Sequence, residues 1–449
     1  MEKVDFKRRL IADLTRWKHS AYRKPLLLMG ARQVGKTSLL KAFGASEFKQ
    51  TAYFNFEEKP ELAQFFEKTK DVTRILQNLS LIHGATITPG DTLIIFDEIQ
   101  ECRPALNTLK YFHENAPEYM VAGAGSLLGI TLGKEGSFPV GQVDFLTVHP
   151  LTFSEFLHGL NPALMTYLES IDRIEPIPDI FFNDLVEKLK MYFISGGLPE
   201  PASTLLETND LELVQRQLSN IHNAYALDFS KHTAIKDIPK IGFIWNSLPS
   251  QLARENKKFM FQAVKTGARA RDYEDALLWL KQAGLVHKVS RCIKPNLPLS
   301  AYDDLSAFKI YLLDVGLLRN LAQLDPMAFK EGNRLFTEFK GALTEDYILQ
   351  ATLPQFEMTP RYWTSEGIAE VDFLIQYKNA IIPVEVKSDE NIRSKSLTYY
   401  HKTYAPPLRI RYSLKNLSLD DGLLNIPLFM ADYTRYLIDI VMEHESVRT

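Results

Sequence analysis

The segment Gly30–Thr37, which reads Gly-Ala-Arg-Gln-Val-Gly-Lys-Thr, lies between the apolar run Leu26–Met29 and a stretch of helix-forming residues. Gly30 and Gly35 have no Cβ, so the backbone between them can fold closely around a bound anion. The backbone N–H groups of such a loop, together with the N-terminus of the following helix, favour negative charge. A strand, a glycine-rich turn and a helix in this order predict a phosphate-binding loop in a parallel α/β sheet.

The residue types in this loop indicate which ligand it binds. Lys36 is expected to reach the β- and γ-phosphates of ATP, and the Thr37 hydroxyl is expected to bind Mg²⁺. We therefore predict ATP and Mg²⁺ as cofactors. Nine consecutive residues are predicted to contact the nucleotide: Gly30, Ala31, Arg32, Gln33, Val34, Gly35, Lys36, Thr37 and Ser38.

An acidic pair follows a second buried-strand pattern. The strand Thr92–Phe96 leads directly into Asp97 and Glu98, and ligands bind at the carboxyl ends of strands in open α/β sheets. Asp97 is predicted to hold Mg²⁺ through its water shell, and Glu98 to orient and deprotonate the attacking water. Ser126, which follows the strand pattern Tyr119–Ala122, either senses the γ-phosphate or is a small residue in a tight turn.

Several motifs in a fixed order resemble those of one family. They are the loop Gly30–Thr37, Phe96-Asp-Glu-Ile99, Gly125-Ser126 and His149-Pro-Leu-Thr-Phe-Ser-Glu-Phe156, followed by Gly196-Gly-Leu-Pro199 and Tyr311-Leu-Leu-Asp-Val-Gly316. This series is similar to that of bacterial and archaeal AAA-type ATPases with a C-terminal domain of unknown function. The resemblance implies an AAA-type ATPase domain and covers most of residues 20–390.

One position departs from the pattern of that family. The segment before the Pro-Leu-x-Phe motif usually reads Gly-Arg there, whereas this chain has Gly141-Gln142. If that arginine acts on phosphate or on a neighbouring subunit, Gln142 cannot replace its charge, and strong hydrolysis that depends on the arginine is not expected. Arg32 and Arg103 are either candidates for contact with a neighbouring subunit or ordinary surface arginines.

Residues 259–290 have the outline of a winged helix, and the family resemblance implies the same module. One helix face is apolar at i, i+3, i+4 and i+7, through Tyr273, Ala276, Leu277 and Leu280. Phosphates are potential partners for the basic residues Lys257, Lys258, Lys265, Arg269 and Arg271. The helix itself opens with the acidic segment Asp272–Asp275, which is poorly suited to reading bases. The module therefore either contacts DNA or packs against protein.

Three carboxylates and a lysine are predicted to form a second site. Glu345 lies on a predicted helix, and Asp372 begins a predicted strand. Glu385 and Lys387 are two residues apart on the next strand, so their side chains leave the same face. A turn at Lys378-Asn379 would bring these groups together. The alternative is an ordinary hairpin with surface charges.

This arrangement resembles the PD-(D/E)xK restriction-endonuclease-like fold, although Val371 stands where the proline is usual. Glu345, Asp372 and Glu385 are the predicted ligands of a hard divalent cation such as Mg²⁺. Asp372, Glu385 and Lys387 are the predicted catalytic residues, with the lysine lowering the pKa of a water or steadying a phosphate. Because such folds are often reused for binding, the site is predicted either to cut DNA or only to bind.

The predicted fold class is α/β, in four parts. Residues 1–155 are predicted to form an AAA-type P-loop ATPase domain with a parallel sheet, and 156–240 a helical lid. Residues 241–305 are predicted to form a winged-helix-like module, and 306–449 a C-terminal α/β restriction-endonuclease-like domain.

Composition limits the functions that fit this chain. A net charge of −3 over 449 residues differs from that of a strongly basic nucleic-acid binder, so any DNA contact must come from a local patch. Two distant cysteines, with no apolar run near the ~20 residues that span a bilayer, predict a cytoplasmic protein without a membrane partner. Two hypotheses remain: an ATP-driven DNA-binding or nuclease protein, and a nucleotide-gated switch or scaffold that contacts protein, as a homo-oligomer or with another partner.

Overall fold

The computed structural model describes residues 4–126, 139, 141–231, 237–254, 257–329, 340–365, 367–388 and 395–446. The chain separates into two compact units. The first unit consists of Arg8–His149 with Gln282–Gly284, and the second of Met1–Lys7, Pro150–Lys281 and Leu285–Thr449. The predicted division into ATPase domain, helical lid, winged helix and nuclease-like domain stays a prediction.

The first unit is a parallel α/β sheet with helices around it. Its helices are α1 (Ile11–His19), α2 (Lys36–Glu47), α3 (Gln64–Glu67), α4 (Val72–His83) and α5 (Arg103–Asn115), with 3-10 turns at Pro60–Ala63 and Ile99–Glu101. Its strands are β1 (Leu26–Met29), β2 (Gln50–Asn55), β3 (Thr92–Asp97), β4 (Met120–Ala124) and β5 (Asp144–Thr147), in the order β2-β3-β4-β1-β5. All neighbouring strands in this sheet are parallel.

The strand order determines which loops meet. Strand β4 lies between β1 and β3, so the residue that follows β4 falls between the glycine loop after β1 and the acidic pair after β3. The fully buried Phe96 anchors β3, because its ring packs against those of Phe54, Phe56, Phe66 and Phe112. This packing fixes the strand end from which Asp97 projects.

Two features of the first unit differ from the sequence predictions. The helix-forming residues of Pro60–Leu81 predict one helical stretch. The structure divides this stretch, because Asp71 caps a new helix by accepting a hydrogen bond from the Thr73 N–H at 3.0 Å. Strand β5 was not predicted. It is a four-residue edge strand that is only half-buried, so it lacks the continuous apolar run that marks β1 and β3.

The second unit combines helices with a mixed sheet. Its helices are α6 (Phe153–Leu160), α7 (Pro162–Glu169), α8 (Asp179–Ser195), α9 (Pro199–Thr208), α10 (Leu211–Lys231), α11 (Ile238–Leu252), α12 (Phe261–Val264), α13 (Ala270–Gln282), α14 (Val315–Leu321), α15 (Lys340–Thr352), α16 (Lys395–Tyr404) and α17 (Thr434–Ser446). Its 3-10 turns are Leu299–Tyr302, Pro326–Phe329, Leu353–Gln355 and Leu428–Tyr433.

The strands of this unit form one sheet. They are β6 (Val286–Cys292), β7 (Asp303–Leu312), β8 (Arg361–Thr364), β9 (Glu370–Tyr377), β10 (Ala380–Val386), β11 (Arg409–Ser413), β12 (Ser418–Asp420) and β13 (Leu423–Pro427). The order is β12-β13-β11-β10-β9-β8-β6-β7. Strand β6, whose first residues end the predicted winged-helix outline, therefore shares a sheet with the predicted nuclease-like hairpin β9–β10. The predicted boundary at residue 305 falls inside β7.

The hairpin β9–β10 has the predicted form. The two strands are antiparallel, with Ile382 opposite Ile375. They are joined through Lys378, whose φ of 52° is the left-handed conformation of a tight turn. The predicted apolar face of α13 is also observed, because Tyr273, Ala276, Leu277 and Leu280 are all buried.

Candidate functional site

The glycine loop has the backbone shape that its sequence predicts. Gly35 has φ of 90° and Gln33 of 66°, both in the left-handed region. A Cβ on Gly30 would lie 2.4 Å from the carbonyl oxygen of Val148, so only glycine fits there. The loop is therefore a turn that leads into the first residue of α2, where the N–H groups of a helix start favour the binding of an anion.

Arg8, which sequence reasoning missed, braces this loop. Its guanidinium donates hydrogen bonds to the carbonyl oxygens of Val34 (3.1 Å) and His149 (2.7 Å). Burial, with a contribution from the Arg8 charge, lowers the pKa of His149 to about 4. His149 is therefore neutral at physiological pH. No motif signalled this contact, since Arg8 lies 141 residues from His149 in the chain.

Lys36 is buried at the start of α2. Its ammonium donates to the carbonyl oxygens of Gly30 (3.1 Å) and Ala31 (2.8 Å) inside the loop. Burial lowers the pKa of Lys36 to about 8, although the nearby Glu98 and Asp97 carboxylates act in the opposite direction. A cation held within a ring of backbone groups fits a phosphate, and the predicted role of Lys36 is compatible with its position.

Asp97 is the centre of a small hydrogen-bond network. The Thr37 hydroxyl lies 3.0 Å from each of its carboxylate oxygens, and the Tyr53 hydroxyl donates to Oδ2 at 2.7 Å. Asn55 in turn donates to the Tyr53 oxygen at 3.3 Å, and the Lys41 ammonium lies 3.7 Å from the centre of the Tyr53 ring. The structure thus brings together the two predicted Mg²⁺ ligands, Thr37 and Asp97.

Tyr53 was not predicted as a site residue. It lies on β2, whose neighbour in the sheet is β3, and Asn55 pairs with Asp97 in the strand register. Residues two apart on a strand share a face, so Tyr53 and Asn55 both point toward Asp97. Burial and the hydrogen bond to Asp97 raise the pKa of Tyr53, which keeps the phenol protonated as a donor.

Glu98 follows Asp97 in an unusual backbone conformation. Its φ of 49° is rare for a residue with a side chain. The side-chain amide of Gln100 donates to Glu98 Oε2 at 2.5 Å, so the carboxylate is held by its own loop. Ser126 is buried directly after β4, between the glycine loop and the acidic pair, as the sheet order requires.

Gln142, which stands where the family usually has arginine, lies just before β5. The backbone N–H of Gln142 donates to the carbonyl oxygen of Pro139 at 3.1 Å, which forms a turn. The side chain is partly buried and neutral.

A second group of charges lies on the sheet of the second unit. We call Glu345, Glu370, Asp372 and Glu385 the carboxylate cluster. The pairing of β10 with β9 runs to Val384 opposite Phe373. Glu385 and Asp372 are the next residues beyond that pair, so strand alternation sets them on the same face. The Val386 N–H donates to Asp372 Oδ2 at 2.8 Å, which places the Asp372 carboxylate beside the end of β10; that Asp372 and Glu385 act as one site stays a prediction.

Glu345 comes to this face from α15. Its Oε1 forms an ion pair with the Lys257 ammonium, and its Oε2 accepts a hydrogen bond from the Tyr311 hydroxyl at 3.0 Å. Lys309, whose side chain is fully buried, lies 4.0 Å from Glu345 and 2.5 Å from Glu370. Lys257, Lys309, Glu370 and Tyr311 were not predicted as members of this site. Lys257, Lys309 and Tyr311 lie far along the chain from the Glu385-Val-Lys387 motif, whereas Glu370 lies only two residues before Asp372.

Charges and burial act against each other in this cluster. Burial and the nearby Glu345 carboxylate raise the pKa of Asp372 to about 7. Burial also acts to raise the pKa of Glu345, but the Lys257 and Lys309 charges outweigh it and lower that pKa. Burial acts to lower the pKa of Lys309, and the surrounding carboxylates outweigh it and raise that pKa. Glu345 and Lys309 are therefore a buried pair of opposite charges.

Lys387 forms an ion pair with Glu385, two residues before it in the chain. Its ammonium lies 2.8 Å from Glu385 Oε1, whereas Glu385 Oε2 is buried and has no hydrogen-bond partner. Within the described ranges, no group of three or more histidine, cysteine, aspartate or glutamate side chains is arranged to hold a metal ion. The predicted ligands thus share one face, but ammonium groups lie among them.

The basic residues of the predicted winged helix are placed differently from one another. Lys257 contacts Glu345, as described above. The Lys265 ammonium lies 5.4 Å from the centre of the Phe243 ring, and the Arg271 side chain is exposed next to Asp272. A DNA contact through this module stays a prediction.

In the part of the chain that the structure describes, every helix is too short or too polar to cross a membrane.

Comparison with known proteins identifies the first unit. A family model described as an AAA domain matches residues 22–157. Two models of domains of unknown function, DUF8612 and DUF4143, match residues 186–328 and 340–430. A search of curated proteins found no match.

Several solved structures resemble the chain. A Walker-type ATPase of Pyrococcus abyssi is 15% identical with a TM-score of 0.46, over 71% of this chain and 96% of that one. The ORC1 protein of Aeropyrum pernix in complex with DNA is 14% identical with a TM-score of 0.26, over 72% and 92%. The RuvB Holliday junction branch migration motor of Thermotoga maritima is 14% identical with a TM-score of 0.32, over 66% and 91%.

With TM-scores this low, we base no argument on these similarities. The family match agrees with the parallel sheet, the glycine loop and the paired Thr37 and Asp97. Residues 22–157 therefore form an AAA-type P-loop domain.

Proposed function

We propose that the chain is an Mg²⁺-dependent ATPase whose second unit binds or cuts DNA. The observation that carries the ATPase proposal is the convergence of Thr37 and Tyr53 on Asp97, next to the buried Lys36 in the glycine loop. The site fits a nucleotide because the buried Lys36 ammonium lies inside the glycine loop, and that loop packs so closely on Val148 that a Cβ at Gly30 has no room.

Each residue of this site has a proposed role. Lys36 would turn from the loop carbonyls to the β- and γ-phosphates. Thr37 and Asp97, the latter held by Tyr53, would hold Mg²⁺, which would supply positive charge to the phosphates. Glu98 takes a proton from the attacking water, and Ser126 contacts the γ-phosphate.

ATP hydrolysis by three proteins tests this proposal. The wild type should hydrolyse ATP, Lys36→Ala should bind it weakly, and Glu98→Gln should bind it normally but turn it over slowly. Normal turnover by Glu98→Gln would remove Glu98 as the base. No hydrolysis by the wild type at saturating Mg²⁺ would refute the ATPase proposal.

Gln142 bears on the expected rate of ATP hydrolysis. Because this side chain is neutral, we propose that basal hydrolysis is slow unless another arginine reaches the γ-phosphate, as in a homo-oligomer or with a protein partner. Gln142→Arg should then raise the rate, whereas Gln142→Lys tests whether charge alone suffices. An unchanged rate in both variants would show that this position is not part of the phosphate site.

The proposal for the second unit rests on Asp372, Glu385 and Lys387, which lie together at one end of β9 and β10. In the DNA-binding form, ATPase activity should increase with DNA and the affinity for DNA should fall steeply with salt. In the nuclease form, Mg²⁺-dependent cutting should be lost in Glu385→Ala and Lys387→Ala. Single-stranded, double-stranded and structured DNA should each be tried.

A nucleotide-gated switch or scaffold is the second candidate. It is favoured by the ion pairs that Lys257, Lys309 and Lys387 form with the carboxylates, since a site neutralised by lysines needs no metal. This candidate predicts ATP binding without any effect of DNA. If the purified protein with Mg²⁺ and ATP or a non-hydrolysable analogue neither binds nor cuts DNA, the proposal that the second unit acts on DNA fails. The switch or scaffold then remains.

A further inference from the structure

The carbonyl groups of the glycine loop have two different kinds of partner. Two of them accept hydrogen bonds from the Lys36 ammonium inside the loop, whereas that of Val34 accepts one from the Arg8 guanidinium at 3.1 Å. The C=O and N–H groups of a planar trans peptide unit point in opposite directions. Because the Val34 carbonyl faces Arg8, the N–H of Gly35 in the same peptide unit faces away from Arg8.

The direction of the Gly35 N–H depends on a backbone that can rotate. Gly35 has φ of 90° and directly precedes α2, at a place where backbone N–H groups favour an anion. Glycine adopts many more backbone conformations than other residues, so a neighbouring contact is needed to hold one of them. The hydrogen bond from Arg8 to the Val34 carbonyl restrains this peptide unit from the side opposite to its N–H.

The second hydrogen bond of Arg8 anchors the guanidinium near the start of the same loop. It donates to the carbonyl oxygen of His149 at 2.7 Å. The preceding residue, Val148, donates its N–H to the carbonyl oxygen of Met29 at 2.7 Å. The carbonyl oxygen of Val148 is so close to Gly30 that a Cβ there would lie 2.4 Å from it. Arg8 therefore links the end of the glycine loop to the segment that packs against its beginning.

A guanidinium suits these two contacts better than other donors do. Arg8 Nη1 donates to Val34 and Nη2 to His149, so two nitrogens serve two carbonyl oxygens at once. The planar fork holds its N–H groups at fixed angles and stays charged at every pH of interest. A lysine at this position would keep the charge but not the fork, and a glutamine would keep neither. The two substitutions therefore separate charge from geometry.

We propose that Arg8 is a positioning residue of the phosphate site, which fixes the Val34–Gly35 peptide unit so that the Gly35 N–H faces a phosphate of the bound nucleotide. Arg8 itself does not touch the nucleotide. Without Arg8, the loop must order this peptide unit when the nucleotide binds, and the affinity falls. This inference rests on the proposed binding of ATP and adds a residue that sets the strength of that binding.

Titration of the full chain with a fluorescent ATP analogue, together with steady-state ATP hydrolysis, tests this role. Arg8→Gln should weaken nucleotide binding about tenfold, the loss that corresponds to one hydrogen bond from a charged donor. Arg8→Lys, which keeps the charge, should weaken it less. Because the Gly35 contact is made in the bound substrate and in the transition state alike, KM should rise while kcat stays within about twofold.

Arg23 provides a matched control within the first unit. Its guanidinium also donates to two backbone carbonyl oxygens, those of Lys18 at 3.0 Å and Pro117 at 2.9 Å. Pro117 precedes β4 and so lies at the amino ends of the parallel strands, whereas the glycine loop follows the carboxyl end of β1. Arg23→Gln should therefore lower the thermal stability without changing the nucleotide affinity. Equal losses of affinity in Arg23→Gln and Arg8→Gln would overturn the proposal.

Hydrogen exchange of the peptide that contains Gly35 gives a readout that a merely structural role would not change. A saturating non-hydrolysable ATP analogue should slow this exchange several-fold in the wild type, because the N–H then donates to phosphate. The slowing should be smaller in Arg8→Lys, whose retained charge makes it the milder of the two changes. Equal slowing in both proteins would overturn the proposal, as would a lower kcat with unchanged nucleotide affinity.

The outcomes also distinguish this inference from the proposed function. If the wild type binds no ATP, the proposed function fails and this inference fails with it. If the wild type binds and hydrolyses ATP, and Arg8→Gln and Arg8→Lys bind it equally well, only this inference fails.

Discussion

The burial of Lys36 makes nucleotide binding depend on pH. In the free protein the pKa of this ammonium is lowered from 10.5 to about 8. A phosphate anion against the ammonium favours its charged form, so the pKa rises again when ATP binds. Above pH 8 the free protein is therefore increasingly neutral at Lys36, and ATP binding must take up a proton.

The size of this effect follows from the pKa. Each pH unit above about 8 should cost about 1.4 kcal/mol, or tenfold in affinity, until the pKa of the complex is reached. Relative to the plateau at low pH, the expected loss at pH 9.5 is roughly 30-fold, of which about twofold has already occurred at pH 8. Below pH 8 Lys36 is already charged, so the affinity should level off there.

A fluorescent ATP analogue titrated between pH 7.5 and 9.5 measures this dependence; the terminal phosphate, with a pKa near 6, stays ionised throughout this range. Lys36→Arg is the matched control, because a guanidinium remains charged and its weaker binding should not vary with pH. Wild-type affinity that is constant from pH 7.5 to 9.5 would refute the reasoning, as would an equal slope in Lys36→Arg.

Three further predictions follow from the contacts. Tyr53→Phe removes a hydrogen bond to Asp97, and we expect the Mg²⁺ concentration that half-saturates ATP hydrolysis to rise about tenfold; an unchanged Mg²⁺ requirement would contradict a positioning role. Lys36→Met should raise the nucleotide-free stability at pH 7 by about 3 kcal/mol, the cost that corresponds to lowering the pKa of Lys36 from 10.5 to about 8. As the pH rises through 8 toward 10.5, the folded wild type loses the buried Lys36 charge and its free energy of unfolding rises. The stability difference between Lys36→Met and the wild type should therefore vanish in melts at high pH. Gly316→Ala should destabilise the second unit by about 2–3 kcal/mol in denaturant melts, because its Cβ would lie 2.4 Å from the Gly196 nitrogen; Gly242→Ala, in open space within α11, should be neutral or stabilising.

Local patterns in the sequence determined much of the first site. The glycine loop, β1, β3 and the acidic pair were predictable because each depends on residues a few positions apart: small residues for a tight turn and apolar runs for buried strands. The hairpin that brings Asp372 near Glu385 was predictable for the same reason. The half-buried edge strand β5 was not, since its four residues carry no such pattern.

Only the tertiary structure decided which distant side chains complete the two sites. Tyr53 reaches Asp97 across 44 positions because β2 lies next to β3, and Lys257 reaches Glu345 across 88 positions because its segment runs beside β7. Such pairs depend on strand order and packing, which periodicity along the chain does not encode. The sequence alone therefore determined that a phosphate loop and an acidic pair exist, whereas the fold decided what holds Asp97 and what contacts the carboxylate cluster.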